Sequence, residues 1–245
     1  MGNERGERAG TVDESRLLQE QVDYYRARAG EYDEWFLRVG RYDRGPEHRA
    51  QWNAEAATVR AALNEALSGG AATVLELACG TGLWTEHLAA HAVEMVAVDA
   101  SPEVIAINRD RVKADHVSYV LADLFAWQPD RKFEFIFFSF WLSHVPLSRR
   151  DAFWNTVQAA LAPGGRVFFV DSLLDQASTA VDHDALDQSG VARRRLNDGR
   201  EFSVVKVFDT PERLHFELSN RGWHGWVRST PQFFIYGLVD RNLTF

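Results

Sequence analysis

Only one cysteine, Cys79, occurs in the 245 residues, so an intrachain disulfide and any cysteine-rich zinc or iron site are excluded. Long apolar runs are missing too. No stretch approaches the ~20 residues of a membrane span, and the first residues (MGNERGERAGTVDE) lack the apolar region of a secretory signal. A cytoplasmic protein is expected. Positive charge is in deficit, with 27 Lys and Arg against 35 Asp and Glu and a net charge of −8. Without a global positive field, neither nucleic acid nor a membrane is an expected partner. The basic runs Arg149-Arg150 and Arg193 to Arg195 read as solvated surface. His87 and His91 share a helix face, but the metalloprotease pattern requires Glu where this chain has Leu88, so no metal is expected.

What is present suits one α/β domain with decoration: 46% hydrophobic residues and 12% aromatics can fill a substantial core and line a pocket. Residues 1–13 are charged and Gly-rich and read as a disordered leader. Residues 14–70 read as a helical preface. In it Leu18, Val22, Tyr25, Tyr32, Trp35 and Phe36 recur at helical spacing with a bend near Gly30, and an Ala-rich helix over 50–67 stops at Ser68-Gly69-Gly70. Residues 71–245 read as the core. Apolar strands are expected over 73–77, 94–98, 117–121, 133–138 and 166–170, alternating with helices over 83–90, from Ser101-Pro102, and over 148–161 up to Pro163-Gly164-Gly165. Such alternation indicates a parallel sheet covered on both faces. The pattern then breaks: 172–208 reads as an insertion with a hairpin around Asn197-Asp198-Gly199, followed by a helix over 211–220 and a strand pair over 223–228 and 233–239.

The segment ELACGTG, Glu76 to Gly82, follows the first strand. Glycines there permit a tight turn and close approach of a ligand to backbone at the carboxyl edge of the sheet. A nicotinamide enzyme would use the same logic, but its third glycine falls at Thr85, and Glu76 disfavours a nearby pyrophosphate. S-adenosylmethionine instead presents an ammonium, a ribose diol and an adenine amine. Asp99 after the second strand can accept from both ribose hydroxyls, and Asp123 after the third from the adenine amine, with Leu124 and Phe125 flanking the ring.

Taken in order, VLELACGTG, VAVDAS, LADLF and LAPGGRVFFVD resemble the motif series of class I, Rossmann-like S-adenosylmethionine-dependent methyltransferases of the small-molecule type, over roughly residues 73–171. The resemblance implies a seven-stranded sheet of order 3-2-1-4-5-7-6 with strand 7 antiparallel. It implies S-adenosyl-L-methionine as cofactor, with S-adenosyl-L-homocysteine as product. It assigns Glu76 and the backbone of Ala78 and Gly80 to the methionine portion, Asp99 to ribose and Asp123 to adenine. Thr81, Gly82, Trp84, Ala100, Ala122, Leu124, Ser139 and Phe140 complete the expected cofactor shell, with Tyr25 at the methionine end and Arg28 on its carboxylate. The helical preface is expected to fold over the donor site as a lid.

Methyl transfer needs alignment of the acceptor, exclusion of water and, for a protonated acceptor, a base. The segment SFWLSHVP, 139–146, leaves the fourth strand at the same edge and offers His144 as base and substrate contact, with Trp141, Tyr24 and Tyr32 as further acceptor contacts. Adenine and cytosine amino-methyltransferases carry an acidic or Asn-Pro-Pro-aromatic tetrapeptide here, which this chain lacks. The expected reaction is methylation of oxygen or nitrogen on a small aromatic or heteroaromatic metabolite, by a monomer or homodimer. The alternatives are a nicotinamide oxidoreductase, a non-catalytic partner subunit of the same fold, and a protein methyltransferase.

Overall fold

Continuous apolar runs become the strands of a single seven-stranded sheet, because a parallel sheet covered on both faces leaves its strands no polar side. The computed structural model describes residues 7–186 and 189–241, with side chains from Glu14 onward. In chain order it contains α1 (Glu7–Ala27), a 3-10 turn (Ala29–Glu31), α2 (Tyr32–Leu37), a 3-10 turn (Gly40–Tyr42), α3 (Pro46–Ala66), β1 (Ala71–Leu77), α4 (Thr85–Ala89), β2 (Ala92–Asp99), α5 (Pro102–Val112), β3 (Val117–Leu121) and β4 (Phe133–Ser139). Two 3-10 turns (Leu142–His144 and Leu147–Arg149) lead into α6 (Arg150–Ala160) and β5 (Leu161–Ser172). A 3-10 turn (Gln176–Ser178), β6 (Gly190–Arg195), β7 (Glu201–Lys206), α7 (Pro211–Asn220), β8 (His224–Ser229) and β9 (Phe234–Asp240) complete the chain.

The main sheet has the order β3-β2-β1-β4-β5-β9-β8, while β6 and β7 form a separate two-stranded sheet. With that hairpin set aside, the order is the expected 3-2-1-4-5-7-6, and β9 is antiparallel to β5. Alternation along the central strands divides the core. Phe137 and Phe168 are register partners on the face that packs beneath Trp52, Val59 and Leu63 of α3. Phe138 and Phe169 are partners on the opposite face, against Phe153, Trp154 and Val157 of α6. Register therefore decides which aromatic pair each helix layer receives.

Three boundaries differ from the sequence reading. Helix α1 begins at Glu7, within the stretch expected as a leader, and residues 1–6 of that leader lie outside the described residues. Helix α3 begins at Pro46 rather than residue 50, because proline after Gly45 (φ 95°) is itself a helix-start signal. Strand β5 runs through Pro163-Gly164-Gly165, which looked like a stop. Here the pairing with β4 shifts register between Phe133 and Phe135, and the bulge absorbs the Pro-Gly-Gly. The expected break in the N-terminal helices falls at the Ala29–Glu31 turn, and the Ser101 hydroxyl caps α5 by accepting from Val104 N.

Candidate functional site

The parallel strands deliver their carboxyl ends to one edge, and there the chain turns sharply. Ala78 (φ 53°), Gly80 (φ 54°), Gly82 (φ 94°) and Phe140 (φ 52°) all adopt left-handed backbone. For Ala78 and Phe140, which follow the paired strands β1 and β4, this is a strained conformation of the kind that collects at binding sites. Gly82 is required for two reasons. Its φ excludes a β-carbon, and such an atom would lie 2.7 Å from Asn108 Oδ1. Asn108 of α5, fully buried, donates from Nδ2 to Gly80 O (3.1 Å) and to Thr85 Oγ1 (2.8 Å), tying the glycine loop to the next helix.

Thr85, at the position of the absent third glycine, donates to Glu76 Oε2 at 2.6 Å. Burial pushes the Glu76 carboxyl up to about 8, and its Oε1 is buried without a partner. Asp99 accepts from Gly80 N (3.0 Å) and Ser101 N (2.9 Å), while burial raises its pKa. Each of its oxygens keeps a second lone pair. Asp123 accepts from Phe125 N at 2.9 Å.

A cavity of about 240 Å³ opens over this edge. Of the expected site residues it gathers Tyr25, Tyr32, Ala78, Gly80, Asp99, Ala100, Asp123, Leu124, Ser139, Phe140, Trp141 and His144. Helix α1 forms its roof through Leu18, Val22 and Tyr25, joined by Ser15, Gln19 and Gln21, and Arg149 closes one side. The helical period of Leu18, Val22 and Tyr25 marked this face in the sequence. The roof is fastened by polar contacts. Glu14 accepts from Ser148 Oγ (2.6 Å) and Arg149 Nε (2.8 Å), Arg26 pairs with Glu103, and Asp33 accepts from Thr81 Oγ1 (2.5 Å) and pairs with Arg111.

Other expected contacts stand elsewhere. Arg28 does not reach the main cavity; it lines a side chamber with Tyr24. Glu76 lies buried behind the loop, Gly82 faces Asn108, and Ala122 is taken into the sheet edge by its N–H bond to Asp99 O. Thr81 and Trp84 face a narrow cleft against Trp35 and Phe36, where the Trp84 ring is core. These residues shape the loop without lining the cavity, because the side chains after a tight glycine turn point back into the helix–sheet packing.

The side chamber, about 50 Å³, adjoins the main cavity through Tyr25, Tyr32, Phe140 and His144, which line both. Here His144 has a defined geometry. Its Nδ1 lies 2.7 Å from Val205 O, which can only accept, so Nδ1 carries the proton. Its Nε2 then accepts from the Tyr25 hydroxyl at 2.7 Å. Burial and the nearby Lys206 ammonium push the imidazolium well below the usual histidine range. The inserted hairpin supplies Arg194 and Lys206 to the chamber wall, and His183 comes from the loop before it. None of these three was expected, since nothing in their spacing ties them to the motifs.

No helix among the described residues is long and apolar enough to cross a membrane, and no cluster of three or more His, Cys, Asp or Glu is placed to hold a metal. The family model of a methyltransferase domain matches residues 74–165. The chain is 38% identical to DhpI in its complex with SAH, over 93% of this chain and 98% of that one, with a TM-score of 0.74. It is 39% identical to the same protein in a SAM–HEP complex, over 91% and 97%, with a TM-score of 0.73. A ubiquinone biosynthesis O-methyltransferase of Xylella fastidiosa (strain 9a5c) is 36% identical over 42% of each chain. The match spans 41% to 51% of the length of the curated relatives.

Proposed function

Because this chain belongs to the class I S-adenosylmethionine-dependent methyltransferases, we propose that it methylates an oxygen or nitrogen of a small acceptor seated in the side chamber. The cofactor is S-adenosyl-L-methionine, which supplies an electrophilic sulfonium methyl group when bound. The main cavity fits it: Asp99 offers lone pairs for the ribose diol, Asp123 lies beside Leu124 and Phe125 for the adenine, and Gly80 carries no side chain to obstruct the methionine end.

The observation that carries the reading is the shared wall. Tyr25, Tyr32, Phe140 and His144 face both cavities, so a nucleophile in the side chamber meets a donor in the main one across these four residues. With its hydrogen given to His144, Tyr25 turns oxygen lone pairs outward. An acceptor O–H or N–H donates to that oxygen, and its proton passes to the phenol as the phenolic proton moves to His144 Nε2. His144 thus acts behind Tyr25 and not in direct contact. Roofing by α1 excludes water from the transfer.

The aromatic rings that suggested an aromatic acceptor are divided between the two cavities, with Tyr24, Tyr25, Tyr32, Trp35, Tyr42 and Phe140 lining the side chamber. Trp141 packs against Phe125 in a tilted pair, ring centroids 5.3 Å apart, beside Leu124 and Asp123 at the adenine end. The chamber itself holds Ser172, Ser178, Thr179 and several cations, which suits a polar acceptor. The test is calorimetry with S-adenosylhomocysteine and NADH, followed by incubation with methyl-labelled cofactor and a panel of small O- and N-nucleophiles. Binding of the homocysteine product and labelled product from a small acceptor are expected; tight binding of NADH alone would sink the reading.

A further inference from the structure

Three cations from separate elements converge on the side chamber: Arg28 just past α1, Arg194 in β6 and Lys206 in β7. Arg28 and Lys206 are buried, and Arg194 is partly buried. No carboxylate occurs among the described residues of the lining. Arg28 donates to the Tyr42 hydroxyl at 3.3 Å and lies over the rings of Tyr24, Tyr32 and Tyr42, all neutral donors of π density. Among the described residues, the Arg194 side chain donates to the Arg193 carbonyl alone, at 3.4 Å.

Among the described residues, Lys206 is the one of the three with a carboxylate within 4 Å. Its Nζ donates to Ser143 Oγ at 2.7 Å and lies 3.8 Å from Asp171 Oδ1, while Asp171 already accepts from Ser143 N (2.8 Å) and Ser172 N (2.7 Å). Burial lowers the Lys206 ammonium to about 8. The neighbouring groups supply no counter-charge. Burial raises Tyr24, Tyr25 and Tyr32, so they remain phenols, and His183 is pushed down to about 4 and stays neutral. Among the described residues, Arg28 and Arg194 have no carboxylate within ion-pair distance, and Lys206 has one, Asp171; Asp184 lines the adjoining hollow with Arg194 and Lys206. Charges taken out of water without partners are expensive, and evolution retains such an arrangement where a ligand completes it. The Tyr24 hydroxyl, buried in the same lining without a hydrogen-bond partner, is a further donor awaiting an acceptor.

We infer that the side chamber binds a doubly charged oxyanion of the acceptor, held by Arg28, Arg194 and Lys206 with the Tyr24 hydroxyl. The inference rests on the methyltransferase reading above and gives its acceptor a chemical class: a small dianion, phosphoryl-type or dicarboxylate. The volume admits little beyond the charged group, so the nucleophile lies close to it.

Calorimetric titration of the full chain preloaded with S-adenosylhomocysteine tests this with inorganic phosphate, malonate and acetate. Phosphate or malonate should bind more than about tenfold tighter than acetate, and which of the two wins identifies the geometry. Arg194→Gln and Lys206→Gln should each weaken the preferred dianion at least about tenfold, and Arg194→Lys should restore part of the loss, with affinity for S-adenosylhomocysteine unchanged. Arg200→Gln, an exposed hairpin arginine paired with Asp198, should change nothing. Equal affinity for all three anions, or undiminished dianion binding by Arg194→Gln, would overturn the inference and leave the methyltransferase reading standing. A chain that fails to bind S-adenosylhomocysteine overturns both.

Discussion

The Tyr25 hydroxyl stands 2.7 Å from His144 Nε2, and the tautomer that makes it a donor is set by a backbone carbonyl, Val205 O, on the inserted hairpin. The hairpin therefore does more than wall the pocket. It orients a proton path that begins on α1 and ends on the loop after β4.

Removing either end of that path should slow turnover without loosening the cofactor. Tyr25→Phe and His144→Gln are expected to lower kcat by about 10²-fold or more for an acceptor that must lose a proton, with near-normal affinity for S-adenosylhomocysteine. A base works when unprotonated, so the acidic limb of kcat/KM should fall below the ordinary histidine range, as the depressed His144 pKa requires. That limb should vanish in His144→Gln. An unchanged pH profile would remove His144 from the chemistry.

Asp99→Ala should weaken S-adenosylhomocysteine by more than about tenfold through loss of the ribose acceptor. Because Asp99 also holds Gly80 N and Ser101 N, Asp99→Asn, which keeps one oxygen, separates the two effects. Affinity should also decline on acidification, beginning above the ordinary aspartate range because burial raises the pKa. Calorimetry across pH reads both outcomes.

Gly82→Ala forces a β-carbon at a φ of 94° and against Asn108. A loss of about 1–3 kcal/mol of stability is expected, seen as a lower midpoint in denaturant, together with weaker cofactor binding. Replacing Asn108 by Ala removes the side-chain contact but leaves its Cα 3.2 Å away and breaks the bonds to Gly80 O and Thr85 Oγ1, so the double variant should not regain wild-type stability.

Glu76 makes the ligand-free protein pH-sensitive. Its folded-state pKa of about 8 exceeds the usual 4.5, so the stability present below the ordinary glutamate pKa is lost as pH rises toward 8. The total is of order a few kcal/mol. Glu76→Gln, which keeps an oxygen for Thr85, should flatten that slope and raise the melting temperature at mildly alkaline pH. A parallel slope in both proteins would show that Glu76 is ionised throughout.

The sheet was legible because its signal is local: the central strands β1, β2, β4 and β5 carry apolar runs, and the starts of α5 and α7 carry a side-chain cap and a following proline. The place of the glycine loop, Asp99 and Asp123 beside the main cavity was legible because each ends or closely follows an apolar strand whose carboxyl end lies at that edge. The acceptor side was not. Arg28, Arg194 and Lys206 lie far apart in the chain, and their meeting depends on how the hairpin folds back onto α1, through bonds such as Gln21 Oε1 to Val205 N and Glu20 to Ser203 N. The basic run at Arg193 to Arg195 illustrates the difficulty: Arg193 and Arg195 are exposed and pair with Glu201, as a solvated strand would, while Arg194 between them turns inward.

Those same bonds from Glu20 and Gln21 satisfy amide groups along the outer side of a two-stranded sheet that has no third strand. Ser203 N and Val205 N donate to Glu20 and Gln21, so α1 covers a strand edge that a two-stranded sheet would otherwise leave open to pairing with another chain.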